Sequence, residues 1–509
     1  MAFQWPRSFC FIGQSSPEGE RAAPAHVAAY ARQVARDLEA AGIGRGDRVA
    51  LWLSHGMDQV AAMLGCWQVG AAFCVLPSFA GRTGSDRAKE RTDEVLSVLQ
   101  PHLLIDGGAA ALPTSVSEGI GTLTLQGPGT LPDGGAADSA APPPLGADGD
   151  LAFIQFTSGS TGGTPKGAEV RFGQLRANLD ALAARSGMTA DDRMVSWAPL
   201  YHDMGLMAVL LSLRCGADLA LMETDHFVRR SSAWLEAISR HKGTVTTGPP
   251  TALKLLTRRR ARDVDLGTLR YAWIGGEAVF PMILKAFEEA YAEAGLKPGV
   301  MQPTYGMAET VVGISCGDPG AAWHVEQGII SCGRILDGMD VSIADEAGAP
   351  CADGVEGRVL VKGPSVISGY LGLEPFDPDG WLDTGDLGFL SGGRLYISGR
   401  VKDVLKRGAE SFPAALVETI AESTLALRTG RVAAFANLRP DLGKEEIVLL
   451  VEAREWSNDH ARRVASAVLG EVGLQVDVIR PAEGGRLPRT SSGKLMRPLT
   501  AAQYREGKI

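Results

Sequence analysis

The sequence predicts an α/β protein. A large N-terminal part of parallel sheets with crossover helices carries a small β-rich region, and a small α+β unit of about a hundred residues follows it. Three observations lead there. Strand-like and helical segments alternate from Arg48 to Ile274. The run Leu151–Phe156 (LAFIQF) is almost wholly apolar, which suits a strand covered on both faces. Short strands with glycine-rich turns, at 341–343 and 358–361, give way beyond Gly399 to a helix at 414–427 and strands at 432–436 and 447–451.

In order along the chain, His26, Tyr30, Val34 and Leu38 recur every four residues and mark a helix over 22–41 that ends near Gly42. Residues 48–53 read as strand, 59–69 as helix and 71–76 as strand. Residues 106–150 are rich in Ala, Gly, Pro and Ser and predict a surface excursion with one strand near 122–125. After Leu151–Phe156 comes a glycine-rich loop, and from Glu169 onward Phe172, Leu175, Leu179 and Leu182 fall at helical spacing, so the loop is expected to join a strand to a helix. Residues 243–247 (strand), 251–260 (helix) and 269–274 (strand) continue the alternation, the last ending in Gly275-Gly276-Glu277.

At 509 residues the chain exceeds one compact core, and about three subdomains are expected. Fifty basic against 59 acidic residues give a net charge of -9, which argues against a general nucleic-acid or acidic-membrane binder. The seven cysteines form no CxxC pair and no zinc-like cluster with histidine, which fits reduced thiols and a cytoplasmic location. No signal peptide or membrane span is legible.

The loop TSGSTGGTPKG carries what a polyphosphate needs. Gly159, Gly162 and Gly163 let backbone N–H groups approach, Thr157, Ser158, Ser160 and Thr161 offer hydroxyls, and Lys166 adds charge. It is not a Walker loop, because Gly167 follows Lys166 where that pattern needs Ser or Thr. Further on, Tyr305-Gly306-Met307-Ala308-Glu309 combines a ring able to stack on a base with a carboxylate able to hold Mg²⁺. Thr384-Gly385-Asp386 puts a carboxylate at a tight turn, suited to the two hydroxyls of a ribose. Arg400 follows at Gly399, and Lys494 ends a Gly/Ser loop.

Taken in order, TSGSTGGTPKG, YGMAET, WLDTGDLG, GRVKDVLK and PRTSSGK resemble the signatures of the adenylate-forming superfamily, which includes acyl-CoA synthetases, fatty acyl-AMP ligases and peptide-synthetase adenylation domains. SWAPLYHDMGL at 196–206 looks most like the acyl-AMP ligase and acyl-CoA synthetase branch. The resemblance implies an N-terminal domain, 1–399, that binds ATP and acid, and a mobile C-terminal lid, 400–509. It implies an enzyme that uses ATP and Mg²⁺ to turn a carboxylic acid into acyl-AMP with release of pyrophosphate. Position by position, it places Tyr305 with Gly275, Gly276, Glu277 and Ala278 around adenine, Asp386 and Arg400 on the ribose, and Thr304, Gly306 and Met307 among the ATP-binding residues. Glu309 and Thr161 would hold the Mg²⁺–triphosphate with the rest of the phosphate loop, Lys402 would be the hinge and Lys494 the adenylation lysine. Two readings of His202 stay open by position: orienting a substrate carboxylate, or simply packing.

Three departures from the pattern stand out, the first bearing on the contacts of the phosphate loop and the other two on the acceptor. The phosphate loop has one residue more than usual before Pro165, the stretch after the hinge is one shorter, and only ten residues separate Tyr370 from Trp381, too few for the insertion typical of fatty acyl-AMP ligases. The acceptor therefore stays open between CoA, a carrier protein and none. No aspartate stands in the position that holds an amino-acid ammonium, so a fatty, aryl or polycyclic acid is expected. The competing readings are a non-catalytic nucleotide-binding module and an unrelated P-loop phosphotransferase. Intact Lys494, Glu309 and Asp386 oppose the first, and the missing Gly-Lys-Ser/Thr opposes the second.

Overall fold

The computed structural model describes residues 3–77, 86–107, 119–125, 127, 146–157, 164–407, 410–439, 444–453, 455–482, 487–489 and 495–509. Two sheets built on parallel strands dominate. The first runs, in spatial order, Gly121–Thr124, Leu103–Asp106, Arg48–Trp52, Ala72–Val75, Leu151–Phe156 and Gly167–Arg171. Its strands are parallel except the last, which returns antiparallel to Leu151–Phe156.

That last strand corrects the expectation that the glycine-rich loop joins a strand to a helix. Gly167-Ala168-Glu169-Val170-Arg171 has a period of two, with Ala168 and Val170 buried and Glu169 and Arg171 half-buried. The loop therefore closes a hairpin, and helix Phe172–Ser186 starts only after it. A smaller correction concerns helix Pro24–Ala40: it begins at a proline in its first turn and buries Val27, Tyr30, Ala31, Val34 and Leu38, while His26 faces out.

The second sheet holds Phe9–Ile12, Asp218–Met222, Arg193–Ser196, Val245–Gly248, Tyr271–Ile274 and Met301–Tyr305 in parallel. Met301–Tyr305 then pairs antiparallel with Ser315–Cys316, and the pairing continues through Ile329–Ile335, Arg394–Arg400, Leu382–Ser391, Gly357–Lys362 and Asp340–Ala344. The β-rich region is thus hydrogen-bonded to the second sheet through one strand. Gly399 lies inside Arg394–Arg400, opposite Leu387, and the turn comes after it, at 401–403.

Beyond this turn a hairpin (Val404–Arg407 and Glu410–Pro413) and a three-stranded sheet (Val432–Arg439, Lys444–Glu452, Val478–Ala482) pack with helices Ala414–Thr424, Asn458–Val472 and Arg497–Arg505. Their buried apolar clusters draw only on residues after 400. All seven cysteines are free thiols, and among the described residues no helix is long and apolar enough to cross a membrane.

One polar network holds the lower ends of three central strands of the second sheet together. Asp192 takes Arg270 on both oxygens, Nε at 2.7 Å and Nη2 at 2.5 Å, and also accepts from Thr244 Oγ1 and the Thr189 amide. Burial pushes this carboxyl up, but Arg270 and the other donors hold it below the usual aspartate range. A depressed folded value contributes stability above the unfolded pKa, near 4, that is lost as pH falls through the folded value. Asp192→Asn is expected to cost about 2 kcal/mol at neutral pH. In denaturant titrations, the gap between variant and parent should narrow below about pH 4.

Candidate active site

The expected nucleotide residues gather where parallel strands end, which is where an open sheet leaves its crevice. Thr157 follows Leu151–Phe156, Gly275 to Ala278 follow Tyr271–Ile274, and Thr304 and Tyr305 finish Met301–Tyr305. Two glycines are required for the backbones to meet there. A Cβ on Gly275 would lie 2.7 Å from the Thr304 carbonyl oxygen, and one on Gly306 would overlap that of Val312.

Asp386, expected at a tight turn and on the ribose, is instead buried within strand Leu382–Ser391. It sits directly across from Arg400 in the strand pair Leu382–Ser391 and Arg394–Arg400. Arg400 Nε lies 3.0 Å from its Oδ1, and the Tyr305 hydroxyl donates to its Oδ2 at 2.6 Å. Burial pushes the Asp386 carboxyl up, while Arg400 and the Tyr305 hydroxyl pull the other way. Burial, and after it the same Asp386 contact, raises the Tyr305 phenol well above its ordinary value, so it stays a donor. An ionised carboxylate has about four acceptor sites, and these two partners leave capacity for a diol.

Glu309 is buried in the single turn Ala308–Thr310. The Tyr370 hydroxyl donates to its Oε1 at 2.7 Å, and the Lys166 ammonium lies 5.0 Å from the centre of the Tyr370 ring. Tyr370 itself is held by a bridge to Ala168 in the return strand. One tyrosine thus links the base of the phosphate loop to the carboxylate expected to meet the metal. Next to Glu309, Val311 adopts φ +67 and ψ -60, and the Val312 amide donates to the Thr310 carbonyl at 2.8 Å. This is the rare form of the γ-turn, in a β-branched residue, and costs on the order of 1–3 kcal/mol that the surroundings offset.

His202 precedes helix Asp203–Cys215, its ring 5.0 Å from that of Tyr201. Asp203, Leu206, Phe153, Val311 and Val312 border a narrow apolar crevice beside it. Met307 is half-buried, Gly276 and Ala278 are exposed, Glu277 is half-buried, and Lys402 is exposed in the turn after Arg400. Ser158, Gly159, Ser160, Thr161, Gly162 and Lys494 lie outside the described residues.

Two residues at the site were not singled out by sequence. Tyr370 is 61 positions from Glu309, and His55, which touches the backbone of the 197–202 loop, is 145 positions from Leu200. No local pattern marks either.

The Lys494 loop is fastened on both flanks. Arg489 pairs with buried Glu452 at 3.0 Å and bridges to Leu495, while Arg497 reaches Asp403 at 3.0 Å and Glu418 at 2.7 Å.

The sequence profile of the AMP-binding enzyme family matches residues 3–371. The chain is 33% identical to a putative acyl-CoA synthetase of Caulobacter vibrioides, over 93% of this chain and 88% of that one. It is 31% identical to putative ligase Rv1013 of Mycobacterium tuberculosis over 92% of each. Among solved structures it resembles one from a study of fatty acyl-adenylate ligases of E. coli and L. pneumophila, with TM-score 0.82 and 27% identity over 98% of this chain and 95% of that one. These likenesses place the chain in the AMP-binding enzyme family, as an ATP-dependent carboxylic acid ligase that forms an acyl adenylate.

Proposed function

We propose that residues 1–399 bind ATP and a carboxylic acid lacking an α-amino group, that 400–509 form a lid turning at Lys402, and that the acyl group passes from AMP to a thiol of CoA or a carrier protein. The observation that carries the site assignment is Asp386, held between Tyr305 and Arg400 with acceptor capacity left for a ribose diol.

In this reading Tyr305 and the Gly275 to Ala278 turn enclose the base. The phosphate loop, including Thr157 and Lys166, holds the β- and γ-phosphates. Glu309, buried and braced by Tyr370, fits a Mg²⁺ that takes most of its other oxygens from phosphate and water, and among the described residues there is no all-protein metal cluster. The ion supplies charge neutralisation for the departing pyrophosphate. A carboxylate oxygen of the acid, oriented near His202, attacks the α-phosphorus in line as the bond to pyrophosphate breaks. No covalent enzyme intermediate is required.

The test is a screen of fatty, aryl and polycyclic acids for acid-dependent pyrophosphate release from ATP, followed by addition of CoA and a search for thioester by mass spectrometry. Release with at least one acid is expected. Release without thioester would assign the adenylate alone to this chain, with thiolation on another protein. ATP binding without release for every acid would favour the non-catalytic reading.

A further inference from the structure

The loop 197–202, which carries His202, leaves strand Arg193–Ser196 of the second sheet, yet its backbone is held largely from elsewhere. The Leu200 amide donates to His55 Nε2 at 3.1 Å. His55 Nδ1 lies 3.2 Å from Thr224 Oγ1, and that hydroxyl donates to the Trp197 carbonyl at 2.9 Å. Gln155 Nε2, on the strand that leads into the phosphate loop, donates to the Tyr201 carbonyl.

These contacts fix the protons. A backbone amide can only donate, so Nε2 of His55 is an unprotonated acceptor. Thr224 spends its one proton on the Trp197 carbonyl, so its oxygen accepts from Nδ1–H of His55. One neutral tautomer serves these three contacts, with Nδ1–H toward Thr224, Thr224 O–H to Trp197 and Leu200 N–H to Nε2, and the Met222 backbone also hydrogen-bonds the ring. Burial keeps the ring in that state, pushing its pKa down to about 4 against the Met222 backbone hydrogen bond, which favours the charged form.

His55 stands just past the end of strand Arg48–Trp52 in the first sheet, and Thr224 opens helix Thr224–Arg229 after strand Asp218–Met222. The imidazole therefore ties the ends of two strands in different sheets to both ends of the Trp197 to Leu200 segment. We propose that neutral His55, in its Nδ1–H form, is a positioning residue that sets the backbone of the 197–202 loop and thereby the place of His202 at the acid end of the site.

This rests on the acid-ligase reading above. His55→Phe keeps ring volume without hydrogen bonds, and His55→Gln keeps an acceptor for the Leu200 amide. For whichever acid the parent activates, kcat/KM for the acid should fall about tenfold or more in His55→Phe while KM for ATP changes less than about twofold, since a misplacement near 1 Å can cost 10²-fold. His55→Gln should recover most of that loss, and Thr224→Val should fall between. Equal kinetic constants in His55→Phe and the parent, or no recovery with glutamine, would overturn the proposal.

A second measurement does not depend on turnover or on the variant folding. In the ¹⁵N-histidine spectrum of the parent, the His55 resonances should report Nδ1–H and stay unchanged from pH 8 to about pH 5. An Nε2–H tautomer, or titration near the ordinary value of about 6.5, would refute the pin even in an active enzyme. Absence of pyrophosphate release with every acid would instead sink the functional reading and leave the spectroscopic result to stand alone.

Discussion

Lys494→Ala is expected to lower acid-dependent pyrophosphate release by roughly 10²–10³-fold, the usual cost of removing one preorganised donor from developing charge. The charge inventory of the site explains why. Glu309 and Asp386 are buried carboxylates, and a substrate carboxylate must still approach an anionic α-phosphate. Of the nearby cations, Arg400 is engaged by Asp386 and Lys166 lies over Tyr370. A Mg²⁺ held by Glu309 would offset charge on the leaving pyrophosphate, not on the attacking oxygen. A further cation is needed between acid and α-phosphate, and Lys494 is the one the family resemblance puts there.

The flanks of its loop support delivery of that cation as part of a larger body. Glu452 accepts from Arg431, Arg489 and the Leu487 amide, and Arg497 is paired with Asp403 and Glu418. The alanine variant should therefore unfold like the parent and bind ATP within about threefold of it, because the missing interaction is one that strengthens in the transition state. Retention of more than about a tenth of the parent rate would remove Lys494 from the chemistry.

What the sequence disclosed and what it hid follow one physical division. Gly275 and Gly306 stood out in the sequence as glycines beside apolar runs, and the fold does bring backbone too close there for a Cβ. The same logic found the apolar strand Leu151–Phe156. It failed at Gly167–Arg171, where five residues of alternating burial precede an unmistakable helix and the stronger period of 3.6 absorbed them. His26 failed for a related reason. A four-residue spacing drifts against 3.6, and the true stripe begins one residue later at Val27. Tyr370 and His55 were invisible because their roles consist of contacts with distant segments, and periodicity carries no information about which segments the fold brings together.

The second large effect is expected where the C-terminal unit meets the rest of the chain. Lys254, on helix Pro250–Arg258, lies 2.8 Å from Glu422 on helix Ala414–Thr424, with side-chain exposures of 11% and 3%. Glu422 also accepts the Arg431 amide, and Arg258 donates to the Leu427 carbonyl. Burial pushes the Glu422 carboxyl up, and Lys254 opposes that shift. The pair is desolvated in this arrangement, and a unit swinging at Lys402 would return both charges to water. Removing one partner alone leaves the other charged and buried, a loss of about 3–5 kcal/mol that falls on the docked arrangement. Lys254→Met and Glu422→Gln should therefore shift the chain toward undocked forms, seen as faster proteolysis at 401–403 and a larger radius in small-angle scattering, while the cores on either side keep their unfolding transitions. Lys254→Glu with Glu422→Lys restores the attraction but not acceptance of the Arg431 amide, so recovery should be partial. Cleavage rates unchanged in both single variants would mean that the contact does not hold the two parts together.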